Sequence, residues 1–181
     1  MDFMLYALDG IVNQAAKWNH MTGGQDSPKV TIRSIINRGG QQGAQHSQSL
    51  HAWFAHIPGL RVVMPSTVQD ARDLLIASVL SNDPVIYIDD RWLYSNEESS
   101  PPINKNSTFN LSLTKPNISF EGSEVTLVGS GFSHFLLKQA AEDLSKIDVS
   151  CEVIDLRIIN PLDHSLITKS VCKTGRLLVL D

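Results

Sequence analysis

The stretch LRVVMPSTVQDARDLLIASVLSNDPVIYIDD, residues 60–90, decides the fold. Short apolar runs over 60–65 and 83–90 have the length and composition of buried strands. Between them, STVQDARDLLIASVLSN has helical periodicity, and Ser66 with Gln69 three residues later matches a capping box. A strand, a helix and a strand in this order predict two parallel strands joined by a crossover helix.

The sequence before this unit predicts two helices, a strand and a polar loop. Apolar residues at three- and four-residue steps predict a helix over 3–21, and KVTIRSII (29–36) has the pattern of a strand that enters a core. GGQQGAQHSQS (39–49) is glycine, glutamine and serine with almost nothing apolar, and a short helix is predicted after it over 49–57. Such a loop is either tolerated surface or a site held by a rigid scaffold, so His46 in its middle is a candidate functional residue.

The second half of the chain repeats the alternation of strands and helices. Serine, asparagine and proline dominate residues 95–119, which predicts a linker. Three predicted strands separated by two predicted helices follow, namely 124–131, 133–147, 151–159, 163–174 and 176–181. The whole pattern predicts an α/β fold of three layers, with parallel sheets between helices. A parallel sheet of only three strands leaves an edge and a face uncovered, so we expect the chain to be a piece of something larger.

Composition excludes several classes of partner. The net charge is −4 and there is no basic run, so nucleic acid is not expected as a ligand. The apolar runs are far shorter than a bilayer span and the first residues do not resemble a signal peptide, so we expect no membrane association and a cytoplasmic location. Cys151 and Cys172 lie in predicted elements without metal-site or CxxC spacing, which predicts two buried thiols in a reducing compartment.

Three further motifs allow both a functional and a structural interpretation. GSGFSH (129–134) follows a predicted strand as a dinucleotide-binding loop does, but His134 stands where a third glycine is needed, so a tight turn is favoured. Asp155 and Arg157 predict a charge pair at a strand end with a structural or interface role. The charged residues 89–91 end another strand, at the edge of a sheet where sites and partner contacts gather.

Four parts of the sequence carry a resemblance to a known family. They are FMLYALDGIVNQAAKW, AQHSQSLHAWFAHIPGLRVVMPST, DARDLLIASVLSNDPVIY, and VIDLRIINPLD with SVCKTGRLLVLD. In this order they resemble the beta subunit of the thiamine-diphosphate-dependent decarboxylating component of 2-oxo acid dehydrogenase complexes, within the wider transketolase superfamily. The resemblance covers nearly the whole chain except the linker, and the run that begins with QHSQ is long and specific.

The resemblance implies a domain organisation and two site residues. Residues 1–94 would be the later part of a domain that binds the aminopyrimidine half of thiamine diphosphate, 95–119 the linker, and 120–181 the first half of a transketolase C-terminal-like domain. By the same resemblance, Phe3 packs on the aminopyrimidine ring, and His46 lies near the thiazolium carbon and serves in proton transfer or reductive acylation of a lipoyl group. The periodicity alone explains Phe3 equally well as the first core residue of an amphipathic helix.

The resemblance also implies partners. In the family, the diphosphate and its magnesium ion bind mainly to an alpha-type subunit, so we expect no metal ligands in this chain. The partner here would be such a subunit or a second copy of a transketolase-like chain. The acyl group would pass to the lipoyl domain of an acyltransferase. We therefore expect an oligomer.

One departure from the family concerns activity. The family uses a glutamate upstream of the first helix to activate the cofactor, and this sequence begins after that point, so no residue here takes that role. We expect a beta-type subunit or fragment that is inactive alone. Two alternatives stay open, namely part of a transketolase-like ketol transferase and a non-catalytic remnant that acts as an interaction module. The substrate is not predicted, because its pocket would lie partly on the partner.

Overall fold

The computed structural model describes residues 1–40, 42–103 and 107–181. Gln41 and residues 104–106, which fall within the expected loop and linker, lie outside the described residues. Two four-stranded sheets organise the described part of the chain, and helices pack on them. Among the helices described, none has the combined length and apolar character needed to cross a bilayer.

The elements are numbered in chain order. The strands are β1 (Thr31–Ile36), β2 (Arg61–Val63), β3 (Val85–Asp90), β4 (Asn117–Phe120), β5 (Val125–Gly129), β6 (Cys151–Asp155), β7 (Ile158–Asn160) and β8 (Leu177–Val179). The α-helices are α1 (Ala16–Met21), α2 (His51–Ala55), α3 (Val68–Val79), α4 (Gly131–Ser145) and α5 (Ser165–Thr174). Single turns of 3₁₀ helix cover Ala44–His46 and Arg91–Ser95.

The first sheet has the strand order β1-β3-β2-β7 and confirms the predicted strand–helix–strand unit. Strand β3 is parallel to both β1 and β2. Val85 and Tyr87 pack with Leu74 of α3 on one face, whereas Ile86 and Ile88 belong to the cluster on the other face, which includes α2. Every residue of β3 is buried because a central parallel strand is covered by helices on both sides.

Helix α3 is capped by a different residue from the one predicted. The Asp70 backbone N–H donates to Thr67 Oγ1 at 3.1 Å, so Thr67 is the N-cap and the predicted capping box of Ser66 and Gln69 was wrong. The Ser66 hydroxyl instead donates to the buried carboxyl of Asp155 at 2.9 Å. A contact with the second half of the chain therefore takes precedence over the local cap.

The helix predicted over 3–21 divides into three segments. A 3₁₀ helix over Asp2–Ala7 is followed by a π-helix over Asp9–Ala15 and then by α1. The three segments have different numbers of residues per turn, so the helical phase changes along the chain. Phe3 is consequently 55% exposed while Ile11 is 3% exposed. The interpretation of Phe3 as a core residue was therefore wrong.

The second sheet has the order β4-β6-β5-β8, with helix α4 packed against it. Strands β6, β5 and β8 are parallel, as predicted, but β4 pairs antiparallel with β6. Residues 117–119, expected in the linker, and Phe120 thus form a fourth strand, and the expectation of three strands was wrong. The added strand covers one edge of the parallel sheet, which stabilises it.

The strand predicted over 151–159 divides between the two sheets. Arg157 adopts a left-handed backbone conformation with φ 61°, which ends β6 and redirects the chain. Strand β7 then pairs antiparallel with β2 of the first sheet, with Val63 opposite Ile158. Consecutive residues of one segment therefore link the two sheets.

Helix α5 corrects one prediction about the cysteines. It ends at Gly175, which has φ 70°, as predicted. Its buried residues are Ser170 and Thr174, one turn apart on one face. Cys172 lies off that face and is exposed, whereas Cys151 is buried. The prediction of two buried thiols was therefore wrong for Cys172.

Candidate functional site

The structure brings the two predicted site residues, Phe3 and His46, together. Phe3 lies in the 3₁₀ helix over Asp2–Ala7, and His46 is the last residue of the helical turn within the polar loop. Their ring centroids are 5.1 Å apart and the rings are tilted by 60°. Residues that the sequence suggested separately thus form one contact.

Phe3 belongs to an exposed aromatic surface. Its ring lies almost parallel to that of Tyr6, at an interplanar angle of 7° and a centroid distance of 6.4 Å. Tyr6 is 91% exposed. Because exposed aromatic surface is stabilised when a planar group or a partner covers it, this pair indicates a binding surface.

His46, whose ring contacts Phe3, has one ring nitrogen without a hydrogen-bond partner among the described residues. Its Nδ1 atom is buried and has no hydrogen-bond partner among the described residues. The His46 backbone N–H donates to the Gly43 carbonyl at 3.1 Å, which fixes the turn. A buried polar atom without a hydrogen bond costs free energy, so the imidazole is suited to a ligand that completes the bond.

A buried carboxylate joins the loop to the first helix. The Gln48 backbone N–H donates to Asp2 Oδ1 at 2.9 Å, and Asp2 is 8% exposed. Asp2 precedes Phe3 and Gln48 lies two residues after His46. This hydrogen bond therefore holds the two rings at their observed separation.

The start of the loop is fixed by Arg38. Its guanidinium pairs with the buried carboxylate of Asp90 at the end of β3. The same group lies 5.4 Å from the ring centroid of Trp92 and 5.8 Å from that of Phe132, a residue of α4. Charge pairing and cation–π contacts together anchor the loop to both halves of the chain.

Two clefts adjoin Phe3. The larger, of about 500 Å³, is lined by Phe3 and His46 and by polar side chains that include Asn37 and Arg91. The second, of about 330 Å³, is lined by Phe3 and Tyr6 together with two glutamines of the loop. A ligand that covers the Phe3 ring would therefore contact His46 in the larger cleft.

The other predicted charges have structural partners. At the end of β3, Asp89 pairs with Arg33, while Arg91 donates to the Asn37 side chain at 2.5 Å. Asp155 and Arg157 do not form the predicted ion pair. The Arg157 guanidinium pairs with Asp70 of α3 at 2.5 Å instead.

Asp2, Arg38 and Tyr6 were missed from the sequence. Asp2 and Arg38 act through Gln48 and Asp90, and those partners come from other elements. A single acidic or basic residue beside a loop gives no signal of a distant partner. Within residues 1–40, 42–103 and 107–181, no group of three or more His, Cys, Asp or Glu side chains could hold a metal ion.

Two domain families match the chain. The transketolase pyrimidine-binding domain matches residues 1–96, and the transketolase C-terminal domain matches residues 115–181. The chain belongs to the transketolase family. This agrees with the family expected from the QHSQ run and its neighbouring segments.

Within this transketolase family, curated relatives match the whole chain. It is 40% identical to the acetoin:2,6-dichlorophenolindophenol oxidoreductase subunit beta of Cupriavidus necator, over 100% of this chain and 52% of that protein. It is 41% identical to the mitochondrial 2-oxoisovalerate dehydrogenase subunit beta of Dictyostelium discoideum, over 98% of this chain and 48% of that protein. The chain thus spans about half the length of these relatives.

A solved structure supports the fold. Transketolase from Leishmania mexicana superposes with a TM-score of 0.72 at 20% sequence identity, over 99% of this chain and 26% of that one. The α/β fold with helices on parallel-dominated sheets, predicted from the sequence, is therefore confirmed.

Proposed function

We propose that this chain is part of a beta-type subunit of a thiamine-diphosphate-dependent 2-oxo acid dehydrogenase. The observation that carries the proposal is the exposed Phe3 ring beside the His46 imidazole, whose buried Nδ1 lacks a partner among the described residues. The similarity to beta subunits of 2-oxoisovalerate and acetoin enzymes supports the same class of activity.

The two side chains suit the organic part of the cofactor. Phe3 offers a ring face on which the aminopyrimidine can stack. His46 Nδ1 can accept or donate a hydrogen bond, and an imidazole can move a proton near neutral pH. The bound cofactor would supply the carbanion chemistry of decarboxylation. In this proposal Phe3 orients the aminopyrimidine ring, and His46 holds or moves a proton at Nδ1.

The diphosphate and its magnesium ion are assigned to a partner. Magnesium requires oxygen ligands, and the described residues form no cluster of three acidic or imidazole side chains. We assign these groups to an alpha-type subunit or to a second copy of a transketolase-like chain. A lipoyl domain as acyl acceptor belongs to the same proposal. The isolated chain is accordingly expected to be inactive.

The proposal includes a reducing, cytoplasmic location. Cys151 and Cys172 are both free thiols, and free thiols are typical of proteins in a reducing compartment.

Cofactor binding tests the proposal. Thiamine diphosphate with magnesium is titrated into the chain alone and into its mixture with a candidate alpha-type subunit, with isothermal titration calorimetry as the readout. Phe3→Ala should weaken binding in the mixture about tenfold, which is the energy of an aromatic pair. Trp53→Ala, at an aromatic residue with the same 55% exposure but outside both clefts, is the matched control. Equal affinities of the two variants would overturn the role of Phe3.

Turnover in the same mixture tests His46. His46→Ala should reduce decarboxylation of a 2-oxo acid about 10²–10⁴-fold with little change in cofactor affinity, because it removes a proton-transfer group. Unchanged turnover would remove His46 from the site. Ketol transfer between sugar phosphates would instead favour the transketolase-like alternative. Failure to bind cofactor with any partner would favour an interaction module.

A further inference from the structure

A buried polar cluster lies where the two halves of the chain meet. Asp155, at the end of β6, and His134, in the first turn of α4, are each 2% exposed. Ser66, which precedes α3, and Ser119 of β4 complete the cluster. We call Asp155 and His134 the junction pair.

The hydrogen bonds around the junction pair leave two atoms facing each other. Asp155 Oδ1 accepts from the Ser66 hydroxyl at 2.9 Å and from the Arg157 backbone N–H at 3.1 Å. Asp155 Oδ2 lies 3.8 Å from His134 Nδ1. That nitrogen is buried and has no hydrogen-bond partner among the described residues.

The contact on the other side of the imidazole favours one tautomer. His134 Nε2 is 2.8 Å from Ser119 Oγ, and the same hydroxyl donates to the Val153 carbonyl at 3.3 Å. A hydroxyl has only one proton, and when Ser119 directs it to Val153, Nε2 is the donor in its contact with Ser119. Nδ1 of a neutral ring is then an acceptor that faces a carboxyl oxygen. Two lone pairs in this position repel each other unless a proton lies between them.

The nearby charges do not compensate an ionised carboxylate. The Arg157 guanidinium pairs with Asp70 of α3 through Nε at 3.0 Å and through a second nitrogen. Asp70 adds negative charge near Asp155, and the hydrogen bonds from Ser66 and Arg157 and the Arg157 charge, which lower the pKa of Asp155, do not outweigh its burial. Lys138 of α4 adds positive charge near His134. Burial raises the pKa of Asp155 to about 7, and burial together with Lys138 lowers the pKa of His134 to about 4. Both directions favour a neutral pair.

We propose that the junction pair holds a single proton, which resides on the Asp155 carboxyl, and that this neutral pair stabilises the place where Asp155 accepts the hydrogen bond of Ser66 from the first half of the chain. The O–H of the protonated carboxyl faces His134 Nδ1, 3.8 Å away, and Oδ1 still accepts from Ser66 of the first half. Ionisation of the carboxyl places an uncompensated charge inside the junction. The stability that the protonated carboxyl gives to the junction is therefore lost as the pH rises toward about 7.

The pair predicts a particular dependence of stability on pH. A raised carboxyl pKa gives stability that is present near pH 4 and is lost as the pH rises to about 7. A lowered imidazole pKa gives the opposite dependence, because stability is lost as the pH falls from about 6.5 to about 4. Between about pH 4 and about pH 6.5 the two effects on stability cancel. Each state holds one proton, on Asp155 when folded and on His134 when unfolded.

Nitrogen-15 NMR of the histidine side chains tests where the proton resides. The chain has six histidines, and loss of one signal in His134→Leu assigns the ring of interest. At pH 5.5 we expect a neutral His134 ring with its proton on Nε2, and an Asp155 carboxyl carbon that titrates with a midpoint near pH 7. A doubly protonated His134 ring at pH 5.5 would indicate an ion pair and overturn the proposal.

Stability measurements on single variants test the coupling. In Asp155→Asn only the effect of the imidazole remains. The unfolding constant of this variant, divided by that of the unmodified chain, should therefore fall up to about tenfold per pH unit as the pH rises from 4.5 to 6. The same ratio for His134→Leu should rise by the same factor, because only the effect of the carboxyl remains. Asp143→Asn, at an exposed carboxylate of α4, is the control and should show no relative slope. Parallel profiles for all four proteins would overturn the proposal.

Discussion

At the scale of single residues, Gly39 constrains the start of the loop that carries His46, because it packs closely against Trp92. It has φ 76°, and a Cβ atom built there would lie 2.2 Å from Trp92 Nε1. Gly39→Ala therefore combines backbone strain with overpacking against a ring that also contacts Arg38. We expect it to lower the free energy of unfolding by about 1–3 kcal/mol more than Gly23→Ala does.

Gly23 is the matched control for this prediction. It has a similar φ of 65°, but a Cβ there would meet no atom within 4 Å. Urea unfolding of both variants separates the contact from the backbone strain that they share. Equal losses of stability would show that the loop moves away from Trp92 without cost.

The ion pair of Arg38 gives a second prediction at this scale. Asp90 is 1% exposed, so Arg38→Met leaves a buried carboxylate without its cation. We expect a loss of about 3–5 kcal/mol in the free energy of unfolding. Lys146→Met, which breaks an exposed pair with Asp143, should cause no measurable change. A stability of Arg38→Met equal to that of Lys146→Met would contradict the anchoring role.

The polar loop alone made His46 a candidate, whereas the role of Phe3 and the chemistry of both residues came from the family resemblance. The structure brings the rings of His46 and Phe3 together. Asp2 and Arg38 hold that arrangement but were not predicted. Their partners are a backbone N–H of the loop and a carboxylate on β3. A pairing between different elements leaves no periodicity or local spacing in the sequence.

At the scale of elements, the cap of α3 is the simplest test. Thr67→Ala should lower the free energy of unfolding by about 1 kcal/mol, because the Asp70 backbone N–H loses its acceptor. Gln69→Ala is the control, since the capping box predicted for it is not formed. Thermal unfolding of both variants distinguishes the two arrangements. A larger loss for Gln69→Ala would favour the predicted box over the observed cap.

Elements formed by local contacts were predictable, and those formed by distant pairing were not. The β2–α3–β3 unit follows from apolar runs on either side of a helical pattern, and the structure confirms it. Strand β4 has four residues in a segment rich in serine and proline, and it forms because β6 offers a free edge. Strand β7 exists because the Arg157 backbone turns the chain toward β2. Tertiary pairing decides such short strands.

At the scale of the whole molecule, two family domains are joined into one structure. Strand β7 of the second half adds to the first sheet, and the Met64 backbone N–H donates to the Arg157 carbonyl at 3.0 Å. The Asn160 side chain donates to the Leu60 carbonyl at 2.6 Å. Because these bonds cross between the halves, loss of either half exposes polar backbone of the other. The two halves should therefore depend on each other for stability.

We accordingly predict that the chain unfolds in a single cooperative transition. In scanning calorimetry the calorimetric and van't Hoff enthalpies should agree. Arg157→Leu removes the ion pair with Asp70, which is partly exposed, and should cost up to about 3 kcal/mol, or a fall of ~5–10 °C in Tm. The single transition should persist, because strand β7 and the Met64 and Asn160 hydrogen bonds still join the halves. Arg176→Leu, at an exposed arginine of the same half, should retain one transition. Two resolved transitions in the unmodified chain would show that the halves fold independently.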